Sequence, residues 1–406
     1  MMASSVGLAH VAAVSFLAAR VSPSGAFWLA LAGGAAVARE ADQRGLRAGY
    51  ASSAAAMLQT VAMLGPLRLS APLTQALSAP LLGWMNAHKR RWRSMFAVCV
   101  TIRLALYLAL TTFTVLVLLG PDGYKGSFDA LFGWLPFLPN GLAGALLLTA
   151  IASFVSAVFY STIQVGLYRR ALAGWPEPGP AEQPRTAAAP AGAERAGADP
   201  RAALAAATVV TVVLLFTHAW VVLGAVAVWL AGAAVLARHG DREVVRIGVL
   251  LAGTLAAGTL IGSLVGGLGI DEAASRTVRA ALLVLVATWM RVAASSAGLR
   301  EAFRRGLLRL RRLPGAADAA HLLGELDSAR LLAGSATALQ ERLRGVRHRP
   351  LPVADAVLQW AAHEAHAVAP GGLRGTATVL RVRLRDATLA VSVLLPAAAL
   401  LAVVGS

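Results

Sequence analysis

The chain has 406 residues, of which 57% are hydrophobic and only 14% charged, with a mean hydropathy of +0.66. Soluble domains run near 25% charged, and so apolar a chain would leave large sticky patches in water; these numbers exclude an ordinary soluble globule and imply a polytopic all-α membrane protein. The net charge of +17 comes from 37 Lys and Arg against 20 Asp and Glu. It is almost all arginine, and no basic run interleaves with aromatics, which argues against nucleic acid and for cytoplasmic loops beside anionic lipid. The single cysteine, Cys99, rules out an internal disulfide or cysteine metal cluster.

From the N-terminus, six apolar stretches are predicted to be membrane helices: 6–19, 26–38, 51–65, 71–85, 95–119 and 141–167. The first four are short for a span and require extension or tilt. Positive charge follows the second (Arg39 to Arg44, Arg47), the fourth (Lys89 to Arg93) and the sixth (Arg169, Arg170), while the intervening loops hold only Arg20, Arg68 and Lys125. The positive-inside rule then places both ends of residues 1–172 in the cytoplasm. Residues 173–201, rich in Pro, Ala and Gly, read as a flexible linker.

Beyond the linker, 202–237 is twice a minimal span and is broken at Thr217–Trp220, which predicts a helical hairpin. Two further spans, 244–270 and 277–297, are separated by Asp271 and Glu272, so residues 202–298 form a four-helix membrane part. Gly258, Gly262 and Gly266 repeat the GxxxG spacing that lets a second helix approach closely. Arg279 and Arg291 interrupt the last of these spans; intramembrane arginines either mark function or snorkel to the interface.

Residues 299–369 are charged, helix-forming and too polar to span. They contain an amphipathic segment at 299–313 and two more helical stretches at 316–344 and 353–368. Such helices either lie on the inner leaflet or dock on a partner, offering leucines to a groove and arginines to carboxylates. His363-Glu364-Ala365-His366 spaces its histidines i,i+3 rather than the i,i+4 of a zinc helix, so no metal site is expected. A last span at 387–404, within 370–406, leaves the C-terminus outside.

Several of these features together resemble one family. Asp199-Pro200-Arg201 before the hairpin, the arginine-rich turn 307–314, the Gln340-to-Gly345 ending and the Arg381-to-Asp386 run before the last helix are similar to the T component (EcfT/CbiQ type) of energy-coupling factor transporters. The resemblance covers about 200 residues, from Asp199 onward. It implies amphipathic cytoplasmic coupling helices whose arginines, in short X-Arg-X motifs, dock on two ABC-type ATPase subunits. Leu343, Arg344 and Gly345 fit the first motif; Glu364, Ala365 and His366 occupy the second, with histidine in place of arginine. Arg305 and Arg312 are the supporting docking residues. ATP and Mg would be bound by the partner ATPases. This chain has no Walker A sequence, needs no cofactor of its own and is not expected to be an enzyme.

Residues 1–172 more loosely resemble the substrate-binding S component, through six spans, cytoplasmic ends and the segments 65–70 and 138–141. A separate S component is a further partner the resemblance allows. It implies uptake of a vitamin-like small molecule across the bacterial cytoplasmic membrane. A loop at 120–140 would then cover a substrate pocket, with Tyr124, Phe128, Trp134 and Phe137 stacking and Asp122, Lys125 and Asp129 supplying polar contacts; the same aromatics would equally serve as headgroup anchors. Two other classes stay open: a non-transport scaffold with lipid-bound basic helices, and an integral membrane enzyme.

Overall fold

The computed structural model describes residues 4–21, 26–65, 70–133, 141–175, 198–236, 242–326, 334–335, 337–339, 341, 350–367 and 384–404. Among these there is no strand. Five helical segments are long and apolar enough to cross a membrane: Trp92–Phe132, Leu142–Ala173, Arg242–Val265, Ile270–Ala294 and Asp386–Val403. The chain divides into two compact units, and each is discontinuous. Unit 1 is Met1–Arg103, Ala157–Glu194 and Arg300–Thr378; unit 2 is Leu104–Ser156, Arg195–Leu299 and Val379–Ser406.

Unit 1 is organised around helix α1 (Ser5–Val21). Every described side chain from Val6 to Ala19 is buried, because α1 is apolar on all sides and a helix apolar all round needs cover on all sides. Here the cover is protein: α2 (Ala26–Arg44), α3 (Leu46–Leu64), α13 (Ala316–Glu325) and α14 (Pro350–Ala367) all pack on it. Helix α4 (Ser70–Ala87) lies along α2 at a backbone-to-backbone approach between Gly83 and the Ala38 carbonyl. Of the four N-terminal stretches expected to span, 6–19 falls within a helix of 17 residues, shorter than a span, and none of the other three is among the five long apolar segments.

The charged run after the second stretch is not a loop. Arg39 to Arg44 are the last turns of α2 and Arg47 lies in the first turn of α3; Glu40 is buried, accepts from Ser5 Oγ at 2.6 Å and pairs with Arg44. A second buried polar group lies where α4 meets the two long helices α5 (Trp92–Phe113) and α7 (Leu142–Ala173). Gln164 Oε1 accepts from Arg103 Nη2 at 2.7 Å and from Cys99 Sγ at 3.2 Å, while its Nε2 donates to Ser78 Oγ at 2.8 Å. One turn along, Tyr168 donates to Gln75 Oε1 at 2.6 Å.

Unit 2 begins in the second half of α5, which passes through a π-helical turn at Thr114–Leu119 into α6 (Gly120–Phe132). Its other elements are α8 (Pro200–Phe216), α9 (Trp220–Leu236), α10 (Arg242–Val265), α11 (Ile270–Ala294), α15 (Leu384–Ser392) and α16 (Leu394–Val404). The break between α8 and α9 falls at Thr217–Ala219, where the hairpin was expected. The helices are tied by sparse polar contacts: Trp229 Nε1 donates to Ser392 Oγ at 3.0 Å, and Trp220 Nε1 to Asp271 Oδ1 at 2.9 Å.

The two units differ most in their surfaces. Among the described residues, all but five of the exposed large apolar side chains belong to unit 2, Val228, Leu250, Ile261 and Leu401 among them. The five in unit 1 are Leu77, Phe159, Leu308, Leu310 and Leu313. Unit 2 thus presents a largely apolar surface, compatible with hydrocarbon, where outward side chains need be no more polar than lipid. Unit 1 has a closed apolar core and few exposed apolar groups.

Candidate functional site

The part of the chain expected to dock is assembled from α12 (Ser296–Arg309), α13 and α14. Phe303 and Leu307 pack against the core of unit 1, which fixes the face that α12 turns inward. On its other side Glu301 gathers two arginines: Arg304 donates through Nε at 2.8 Å and Nη2 at 2.9 Å, and Arg305 through Nε at 2.7 Å. Burial opposes the charge on Glu301, but these bonds outweigh it and hold its carboxyl below the ordinary carboxylate range. Burial pushes Arg300 down to about 10. Arg305, expected as a docking residue, is therefore paired within its own helix.

Past this network α12 loses its cover. Leu308 to Pro314 are all exposed, so three leucines (Leu308, Leu310, Leu313) and three arginines (Arg309, Arg311, Arg312) share one protruding tip. Gly315 then turns the chain with φ of +83°, a left-handed conformation that a side chain strains. It starts α13, which is latched to α3 by Arg47 Nε to Asp318 Oδ2 at 2.9 Å.

Only the second of the two expected docking motifs lies among the described residues. Leu343, Arg344 and Gly345 lie outside the described residues. Glu364 and Ala365 face inward on α14, each 2% exposed or less. His366 is half-buried, with Nδ1 2.7 Å from the Ala362 carbonyl; a carbonyl only accepts, so that nitrogen is the protonated one. Glu364 Oε1 accepts from Ser335 Oγ at 2.5 Å and lies 3.5 Å from His10 Nε2, itself 3.4 Å from Ser335 Oγ.

A buried Ser–His–Glu set invites a hydrolase reading, but its order is wrong. Serine and carboxylate meet the same ring nitrogen, the serine proton goes to the carboxylate, and all three groups are buried, whereas a triad runs through both imidazole nitrogens to an exposed nucleophile. It is a polar clasp joining α1 to α14. Nothing in the sequence marks it beyond a lone histidine inside an apolar run.

The substrate residues expected in a loop are on a helix. Residues 120–132 form α6, opened by Pro121 in its first turn. Tyr124 bonds to Thr149 of α7 through its hydroxyl, and Phe128 is buried against Ala145. Asp129 Oδ1 accepts from Gly141 N at 3.0 Å, and Asp122 and Lys125 are exposed. Trp134 and Phe137 lie outside the described residues. Tyr124 and Phe128 thus serve the packing of α6 on α7.

The glycine repeat on α10 meets the other side of α6. Ser127 Oγ donates to the Gly262 carbonyl at 2.6 Å, and the two helices approach so closely that a Cβ at Gly266 would fall on the Gly123 carbonyl and one at Gly126 on the Gly266 carbonyl. Gly258 faces open space. Elsewhere, unit 1 holds an open apolar cleft between Trp28, Leu31, Leu167, Tyr168 and Val357. Its one hydroxyl, on Tyr168, is already committed to Gln75, so the cleft lacks the convergent polar groups that orient a small-molecule ligand.

Two segments of the family resemblance meet in unit 2. Asp199 caps α8: its Oδ1 accepts from Arg201 N at 2.8 Å, with Pro200 in the first turn. Its own N–H donates to Asp386 Oδ1 at 2.8 Å. Burial opposes the charge on Asp199, yet the Arg201 bonds hold its carboxyl below the usual range. The Asp-Pro-Arg opening and the end of the Arg381-to-Asp386 run are thus one joint between α8 and α15. No family model, curated protein or solved structure matches the chain.

Proposed function

We propose that the chain is the membrane subunit of an energy-coupling factor type importer, working with two separate ABC-type ATPases and taking up a vitamin-like small molecule. Unit 2, with its apolar exterior, would lie in the bilayer, and the tip of α12 would bind an ATPase. The protruding tip at Leu308–Pro314 is the observation that carries this reading.

A helix resting on a bilayer presents an apolar stripe along its whole length. In α12 the leading part of that stripe, Phe303 and Leu307, is already packed inside unit 1. What is left is a short knob of leucines ringed by arginines, suited to a groove edged with carboxylates. The joint between Asp199 and Asp386 gives the resemblance a physical role, since it couples the start of the hairpin to the last helix. In such a machine nucleotide-driven ATPase closure moves the docked tip and shifts the membrane helices between two states.

The test uses the full chain, tagged and purified from its native host in mild detergent. Two ABC ATPases are expected to copurify. Reversing Arg309, Arg311 and Arg312 to glutamate together should remove them while the protein still elutes as a single folded species. An intact protein without ATPases, or an association indifferent to the reversal, contradicts the proposal. Retained binding of the wild type to anionic liposomes alone would then favour a lipid-bound scaffold.

A further inference from the structure

The end of α11 nearest Asp271 and Glu272 holds an unmatched charge. Arg279 is 3% exposed, so it does not snorkel. Its Nε and Nη2 have no hydrogen-bond partner among the described residues. One turn earlier Arg276 is also buried, but it is matched: Nε and Nη2 reach Glu272 Oε1 at 3.1 and 2.6 Å. Asp271 is engaged by the Trp220 indole. The charged and titratable groups at this end of α11 are Asp271, Glu272, Arg276, Arg279 and His218 from the turn between α8 and α9; Glu272 is taken by Arg276 and Asp271 by the indole, and among the described residues no carboxylate hydrogen-bonds to the Nε–Nη2 edge of Arg279. Burial pushes His218 below the ordinary imidazole value, with Arg276 and Arg279 adding to it and Glu272 opposing.

The two idle nitrogens are not an arbitrary pair. Nε and Nη2 form one edge of the guanidinium, with parallel N–H bonds spaced to meet two oxygens of one oxyanion. The chain uses that edge in this way elsewhere. Arg304 clasps Glu301 through it at 2.8 and 2.9 Å, and Arg201 clasps Asp199 through it at 3.2 Å for each nitrogen. At Arg279 the edge is formed and buried, and it has no partner among the described residues. Arginine does not escape by losing its proton, and an unmatched buried cation costs several kcal/mol.

We infer that Arg279 is the anchor of an anion site in unit 2, which receives the carboxylate or phosphate group of a ligand against its Nε–Nη2 edge beside Arg276 and His218. The site lies nine residues into α11, about 14 Å along the helix. That depth suits either a small anionic solute entering from the Asp271–Glu272 end or the phosphate of a lipid headgroup. It stands on the geometry of unit 2 and is independent of ATPase docking.

The test measures thermal unfolding of the full chain in neutral detergent micelles, titrated with inorganic phosphate or succinate against chloride at matched ionic strength. Phosphate or succinate should raise the unfolding temperature of the wild type. In Arg279→Lys, which keeps the charge and loses the fork, the apparent affinity should be weaker by about tenfold or more. In Arg279→Met the response should vanish, and in anion-poor buffer this variant should match or exceed the wild type in stability, because it removes an unmatched buried charge.

A second arm compares nanodiscs of phosphatidylcholine with and without phosphatidylglycerol. Stabilisation by the anionic lipid that depends on Arg279, without a response to dissolved phosphate, identifies a headgroup; the reverse identifies a solute. The inference is overturned if phosphate, succinate and anionic lipid all leave the wild type unchanged. It is equally overturned if Arg279→Met loses stability in anion-free buffer, since the arginine would then have a partner within the protein.

Discussion

Replacing Gly7 with leucine is expected to detach α14 from α1 and to destabilise the protein by about 3 kcal/mol or more. A Cβ at Gly7 would fall onto the carbonyl oxygen of Ala365 and lie 2.9 Å from its carbon, inside the 3.0 Å that real Cβ atoms keep. The obstacle is backbone, so no rotamer change relieves it. The two helices must separate, and with them go the clasp of Glu364 with Ser335 and His10 and the burial of Trp360, which is 3% exposed.

The expected signs are a lower unfolding temperature, a red-shifted tryptophan emission and new proteolysis within residues 350–367. Gly166 provides the control. It sits on the exposed side of α7 with open space around it, so Gly166→Ala should be neutral or stabilising by about 0.5 kcal/mol. Equal behaviour of the two variants would mean that the approach of α1 to α14 contributes nothing.

The second large effect is expected at Gln164. Gln164→Leu fills the same space but strands Arg103 Nη2, while Ser78 Oγ keeps its bond to the Thr74 carbonyl. Arg103 is 4% exposed, and its Nε already lacks a partner among the described residues. Breaking one side of a buried charged network costs about 3 kcal/mol, less whatever the Tyr160 ring, 5.6 Å from the guanidinium carbon, gives back. The double variant Arg103→Met with Gln164→Leu should recover most of the loss, because an apolar replacement of both partners leaves no charge buried alone. Additive losses in thermal unfolding would show that the two residues do not act as a network.

Much of the helical architecture is legible in the sequence, and the reasons it stops short are physical. The hairpin break at Thr217–Ala219 and the stop at Gly315 follow from local punctuation. So does the exposed basic end of α12. The helix at 120–132 was also readable, since Pro121 at a first turn and Phe128 four residues before Phe132 are helix signals; its glycines made it look like a loop.

Helix α1 is a different case. An all-apolar helix has the same composition whether lipid or protein covers it, and only the tertiary packing of α2, α3, α13 and α14 on it decides. The same holds for Arg279, where the sequence left snorkelling and function open and only burial separates them. His10, Ser335 and Glu364 are hundreds of residues apart at their widest, and no spacing rule could have joined them.

The central question for the molecule is which surfaces meet lipid and which meet a partner. Spin labels settle this directly: Cys99→Ser removes the native thiol, and single cysteines then replace Ile261, Leu401 or Leu310 in protein reconstituted in liposomes. At positions 261 and 401 the label should be relaxed strongly by oxygen and weakly by a water-soluble nickel chelate, as in hydrocarbon. At 310 the preference should reverse, and adding the ABC ATPases should immobilise the label. Labels at 261 and 401 in water, or a label at 310 held in lipid and indifferent to the ATPases, would contradict the account.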